Sequence, residues 1–322
     1  MKKAIVFALI LALACFVFVG CDKPDKDSHT INVVMPDGAP ALALAKLFYE
    51  NPKFDGYKIN YNIVAGATGI QEKMLSGEAD IALLPTNMAA NLYNKGIDIK
   101  IVACNVFGLL YMVGKTPIDQ LEDLYGKTVY NLGQGNTPDF VFKTILEQND
   151  INYAATDTPK NNEVGLRYAP DAESIIAMMK ASQIEYAILG EPQVSQALNI
   201  AEDFEIVLNL QQEWQQGYPQ VATVAKADII ENHKDFLKSF LQEVEQNVQW
   251  IADNPEKVGQ ALASKGSQVN FISAESIARC NIRFEKAGDI QETIDNYLRL
   301  MYDFNVNFVG GKIPDEGLYY KE

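Results

Sequence analysis

Short apolar, β-rich runs alternate with helix-period segments along most of this chain, and strands that alternate with helices require a largely parallel sheet with both faces covered. Thr30–Met35, Tyr57–Val64, Asp80–Pro85 and Ile99–Asn105 read as strands. Between them, 39–49, 68–76 and 88–94 read as helices, the last two stopped by Gly77 and Gly96. A second set follows in the same order. Strands are expected at Lys127–Asn131, Val164–Tyr168, Tyr186–Leu189 and Phe204–Leu210, and helices at 118–124, 139–148, 171–181 and after Glu191-Pro192. Tyr218–Ala225 then reads as a returning strand, and helices at 236–252, 255–263, 274–283 and 290–304 close the chain. Two similar lobes follow from the repeated order. If Val221–Ala225 rejoins the first sheet, the chain crosses between lobes near Leu110–Lys115 and again near Gly217–Thr223. Two short crossings side by side form a hinge. Lobe I is then 30–113 with 222–322, and lobe II is 114–221.

The N-terminus points to export. Met1-Lys2-Lys3 precedes an apolar run from Ala4 to Val19. That run is shorter than the roughly 20 residues a spanning helix needs, and it has the build of a secretory signal. It ends Phe18-Val19-Gly20-Cys21, which resembles a lipoprotein junction in which Cys21 is acylated; Phe18 departs from that pattern, and an ordinary signal with an incidental cysteine is the alternative. Residues 1–20 are then the signal and 21–29, polar and charged, a tether holding a folded domain near a membrane. Removing 1–20 takes away Lys2 and Lys3 and moves the formal charge from −15 to −17. Such a balance argues against nucleic acid and anionic lipid surfaces as partners. Outside the signal region only Cys104 and Cys280 remain, with pairing left open, and there are two histidines, His29 and His233. No metal-binding or histidine-based catalytic motif is present, so neither a metal nor a cofactor is expected.

In open sheets of this kind a ligand sits beyond the carboxyl ends of the strands. Five turns occupy such places: Pro36–Ala39, Ala65–Thr68, Pro85–Asn87, Gly133–Thr137 and Gly190–Pro192. Their glycines allow close approach, their Thr, Asn and Gln offer donors and acceptors, and helix starts present free N–H groups. Each position also has a structural role open to it. Thr68, Asn87 and Thr137 suit caps of their own helices, Glu191 suits a first-turn acid, and Asp37 suits a turn former.

The phrases Pro36-Asp-Gly-Ala-Pro40, Gly77-Glu-Ala-Asp-Ile-Ala82, Gly126-Lys-Thr-Val129 with Gly133-Gln-Gly-Asn-Thr-Pro138, Ile188-Leu-Gly-Glu-Pro192, Tyr218-Pro-Gln220 and Ile313-Pro-Asp-Glu316 with Tyr319 resemble the nitrate/sulfonate/thiamine-precursor family of ABC-transporter substrate-binding proteins. The resemblance covers nearly all of 30–322. It implies an α/β, two-lobed type II periplasmic-binding fold, each lobe a mostly parallel sheet covered by helices, with a two-crossing hinge. It also implies a monomer that hands a small molecule to an ABC permease and ATPase while tethered to the membrane by lipid on Cys21, without catalysis. Family correspondence would line the cleft with Asp37, Gly38, Ala39, Ala67, Thr68, Thr86, Asn87, Gly135, Asn136, Thr137 and Glu191. No lysine or arginine lies in the five turns; Arg167 is the nearest. With Asp37 and Glu191 able to accept from ligand N–H groups, this favours an amino-substituted heteroaromatic such as a thiamine-precursor pyrimidine. Trp214, Tyr111, Phe107 and Tyr168 are candidates to stack on its ring. A sulfonate- or nitrate-type anion binder, a sensor ectodomain and an enzyme of the same fold are the alternatives.

Overall fold

The computed structural model describes residues 28–64, 66–214, 218–269 and 273–321. Cys21, the signal and Gly217 lie outside the described residues. Strand β1 (His29–Pro36) leads into two short helices, α1 (Ala39–Leu42) and α2 (Ala45–Glu50), where the sequence suggested one. The chain leaves helical geometry at Leu44, whose ψ is 11°. Then come β2 (Tyr57–Val64), α3 (Gly66–Leu75), β3 (Ile81–Pro85), α4 (Thr86–Asn94), β4 (Ile99–Phe107) and β5 (Leu110–Gly114). Next are β6 (Thr128–Leu132), α5 (Thr137–Gln148), β7 (Tyr153–Ala154), β8 (Val164–Ala169), α6 (Ala172–Lys180), β9 (Tyr186–Gly190), α7 (Gln193–Ile200), β10 (Glu205–Asn209) and α8 (Leu210–Glu213). The last part holds β11 (Pro219–Lys226), α9 (Ala227–Asn232), α10 (Lys234–Asp253), α11 (Pro255–Ala263), α12 (Ala274–Arg279), β12 (Ile282–Lys286) and α13 (Gln291–Phe304). Of the helix expected at 118–124, only a 3₁₀ turn at Leu121–Leu124 forms.

The strands build two six-stranded sheets, ordered β12-β4-β11-β3-β1-β2 and β10-β5-β9-β6-β8-β7. Without the edge strands β12 and β7, the two have the same plan. The first reads β2-β1-β3-β11-β4 and the second β8-β6-β9-β5-β10. In each, the fourth place is taken by a strand that has just crossed from the other lobe, and it pairs antiparallel with both neighbours. That is why the sheets are mixed, although β1 to β4 all run one way. The change of sheet falls at Gly108–Leu109 and just before Pro219, a few residues ahead of the boundaries at 113/114 and 221/222 that the sequence suggested.

Period-two alternation divides the second sheet between two cores. Met112, Tyr186 and Ile188 join the large cluster that also holds the first lobe. Tyr111, Val113, Ala187 and Leu189 face a smaller cluster under α6 and α7, with Ile175, Met179 and Val194. Burying such aliphatic side chains contributes roughly 1.5–3 kcal/mol each before conformational entropy is set against it.

The crossings touch one another. The Leu110 N–H donates to Gln211 Oε1 at 2.9 Å. Gly108 has φ +62°, and a Cβ there would lie 2.6 Å from Gln211 and 3.0 Å from the Tyr218 ring. Cys104 and Cys280 are both buried and free, so they do not pair. No helix among the described residues is long and apolar enough to cross a membrane.

Candidate ligand cleft

A cavity of about 620 Å³ lies between the two lobes. One wall is the end of β1 with the start of α1, from Pro36 to Pro40. Gln220 and Val221 of β11, Tyr297 of α13, and Gln268 and Val269 complete that side. The other wall carries Leu109, Thr137, Glu173 and the segment Glu191–Gln193 with Gln196. The starts of α4, α5 and α7 converge here through Asn87, Thr137 and Gln193, and the first N–H groups of a helix have no partner within it.

Asp37 acts as a clamp. Its carboxylate accepts from the Gly38 N–H at 2.8 Å, from Ser267 Oγ at 2.6 Å and from the Gln268 N–H at 2.6 Å. This fixes the 267–269 segment and sets Gln268 on the cavity wall. Gly38, at φ +92°, supplies the turn that brings α1 to the cleft.

Glu191 follows β9 and its side chain is fully buried. It accepts from Arg279 Nε, from Ser195 Oγ at 2.9 Å and from the Ser195 N–H at 3.3 Å. Arg279 Nη2 also donates to Ser195 Oγ at 2.8 Å, and the Arg279 carbonyl accepts from Tyr111 Oη at 3.0 Å. The expectation that Glu191 accepts a ligand N–H therefore needs correcting. Its oxygens are occupied by protein donors, and the ion pair joins α12 of lobe I to lobe II.

The other turn residues divide. Asn87 lines the cavity while its Nδ2 donates to the Phe308 carbonyl at 3.3 Å. Thr137 lines it as the first residue of α5. Thr86 does not, because its hydroxyl turns to the Pro219 carbonyl at 2.5 Å and the residue is fully buried. Gly135 and Asn136 lie off the cavity; the Gly135 N–H donates to Asp139 Oδ2 at 2.8 Å. Asp139, itself buried, also receives Lys143 Nζ at 2.9 Å and Tyr168 Oη at 2.8 Å, which pins the turn from below. Ala67 and Thr68 stand in the first turn of α3, and Thr68 takes no part in the lining.

The aromatic residues expected at a ligand ring are engaged elsewhere. Trp214 packs on Phe140, Tyr218 and Tyr297. Phe107 lies under the Arg283 guanidinium at 5.1 Å. Tyr111 and Tyr168 are the hydrogen-bond donors already described, and burial, chief among the causes, raises the Tyr111 hydroxyl to about 12. Among the described residues, the ring that reaches the cavity is Tyr297. Sequence reasoning missed it, together with Gln193, Gln196, Gln220 and Gln268. Arg167 is exposed and away from the cleft. Asp37, Glu173 and Glu191 line the cavity, and no lysine, arginine or histidine does so among the described residues.

Solved structures share this architecture. An ABC transporter protein from Parabacteroides distasonis is 28% identical, with 91% of this chain and 99% of that chain covered at a TM-score of 0.78. The periplasmic aliphatic sulphonate binding protein SsuA of Escherichia coli shares the fold at 15% identity, with 91% and 92% covered and a TM-score of 0.68. The alkanesulfonate-binding protein SsuA of Xanthomonas axonopodis pv. citri, bound to MOPS, does so at 14% identity, with 90% and 96% covered and a TM-score of 0.60. No curated protein sequence matches. The family model described as NMT1/THI5 like matches residues 43–258, and with its two-lobed periplasmic-binding fold this chain belongs to that family.

Proposed function

We propose that this chain is the solute-binding component of an ABC import system. In this reading it captures a small ligand between lobe I (30–113 and 222–322) and lobe II (114–221), closes about the two crossings, and delivers the ligand to a permease and its ATPase. Family membership and the likeness to the Parabacteroides distasonis ABC transporter protein support the transport role. The ligand class we propose is an amino-substituted heteroaromatic, as a thiamine precursor would be. One observation carries it: the cavity is walled by amides and carboxylates and has no basic side chain among its described lining residues. Of the three acids, Glu173 is exposed and its carboxylate has no hydrogen-bond or ion-pair partner among the described residues, leaving it to accept from a ligand amine. Asn87, Thr137, Gln193, Gln196 and Gln268 supply donors and acceptors around the ring. A size of about 620 Å³ lies within the usual range for small-molecule sites. The likeness to the two SsuA proteins concerns the fold and carries no preference for a sulfonate. Anchoring through acylated Cys21 belongs to the same proposal.

Native mass spectrometry of the purified protein, followed by calorimetry with 4-aminopyrimidine and with ethanesulfonate, tests the ligand class. The expected result is a co-purifying nitrogenous ligand and binding of 4-aminopyrimidine alone. Tighter binding of ethanesulfonate would overturn it.

A further inference from the structure

Two polar groups at the cavity lack partners among the described residues, and neither belongs to the five turns that the sequence marks. Tyr297 lies within α13, is 3% exposed and lines the cavity. Its ring stacks on Tyr218 at 5.4 Å between centroids and 22° between planes, and meets Trp214 edge-on at 6.1 Å and 79°. These contacts fix where the phenol sits, yet its hydroxyl makes no hydrogen bond to any described residue. Burial raises its pKa, so the group stays protonated and can donate. Gln220, on β11, lines the same cavity, and its Oε1 is buried without a hydrogen-bond partner among the described residues. A buried polar atom without a partner is costly and uncommon in folded proteins, and a ligand atom is one way to satisfy it. Tyr297 stands on α13 and Gln220 on β11 of the first sheet, regular elements that hold polar groups more firmly than loops do.

We propose that Tyr297 and Gln220 are specificity-determining residues of the cleft, and that together they read a ligand edge that both accepts and donates. The assignment rests on the reading of this cavity as the site of an amino-heteroaromatic ligand. On such a ligand a ring nitrogen accepts from the Tyr297 hydroxyl, and the neighbouring exocyclic amine donates to the Gln220 carboxamide oxygen. A sulfonate offers acceptors only and brings no donor to the Gln220 carboxamide oxygen.

Calorimetry on the full-length mature protein with 4-aminopyrimidine and with unsubstituted pyrimidine tests this, using wild type, Tyr297→Phe and Gln220→Met. Tyr297→Phe keeps the stacked ring and removes only the hydroxyl. It is expected to weaken 4-aminopyrimidine binding about tenfold, as befits one buried hydrogen bond. Gln220→Met is expected to abolish the preference of wild type for 4-aminopyrimidine over pyrimidine, whereas a merely structural role would weaken both ligands alike. Melting temperatures close to wild type confirm that both variants fold. Wild-type affinity for 4-aminopyrimidine in Tyr297→Phe, or an unchanged preference in Gln220→Met, overturns the assignment while leaving the ligand class intact. Failure of wild type itself to bind 4-aminopyrimidine overturns the ligand class and the assignment with it.

Discussion

Arg279 reaches from the last residue of α12 to a carboxylate on the other lobe, and the two ends of this pair differ in exposure. The Glu191 side chain is fully buried, while the Arg279 side chain keeps about a quarter of its surface in solvent. Removing the arginine strands a buried charge, which typically destabilises by about 3–5 kcal/mol. Because Arg279 is partly solvated, Arg279→Ala is expected near the lower end, about 3 kcal/mol, in urea unfolding, with Arg279→Lys recovering part. A loss below about 1 kcal/mol would show that the pair contributes little. The sequence marks Glu191 as a residue of consequence through its place after a short buried strand. What it cannot give is the partner, which is 88 residues away and comes from a different element. The same limit applies across the cleft. Asp37, Gly38, Ala39, Asn87, Thr137 and Glu191 line the cavity and are legible as turn residues at strand ends. Tyr297 and Gln220 sit inside a helix and a strand, where no local signal separates a cavity-facing side chain from a core one.

Most strands and helices can be read from their periodicity, and the exceptions have local causes. The segment 274–283 carries a helical pattern, yet α12 ends at Arg279 and the chain turns at Asn281, whose φ is 49°. It then emerges as β12, an edge strand paired with β4. That pairing is a long-range contact, which periodicity does not record. The hinge is likewise an encounter of distant elements. Gly108, in the link from β4 to β5, gives up its side chain to make room for Gln211 and Tyr218. Its φ of +62° is a region that only glycine adopts cheaply. A methyl group there would add crowding on top of strain, each worth about 1–3 kcal/mol. Gly108→Ala is therefore expected to lower stability by about 2–6 kcal/mol in denaturant titrations. Wild-type stability would mean that the two crossings can part without penalty.

Over the whole molecule, 42 acidic residues outnumber 27 basic ones, which favours a soluble body that does not adhere to anionic lipid. On the proposal that Cys21 is acylated, attachment to a membrane rests on the covalent lipid rather than on the protein surface. Mass spectrometry of the mature N-terminus is expected to find Cys21 as the first residue and acylated. An unmodified terminus or cleavage elsewhere would remove the anchor from the proposal.

The crossing of strands between lobes also dictates an order of assembly. Every strand of the second sheet lies between Leu110 and Asn209, in one continuous stretch. The first sheet is interrupted, because β11 separates β3 from β4 and is made only after the whole of the second sheet. As the chain emerges from its N-terminus, β1 to β4 appear early but have no way to join into one sheet. The lobe synthesised second is thus the one able to complete first, and the older half waits on a strand supplied from beyond it. A chain cut short before residue 219 would carry a finished second sheet beside a first sheet with its middle strand missing.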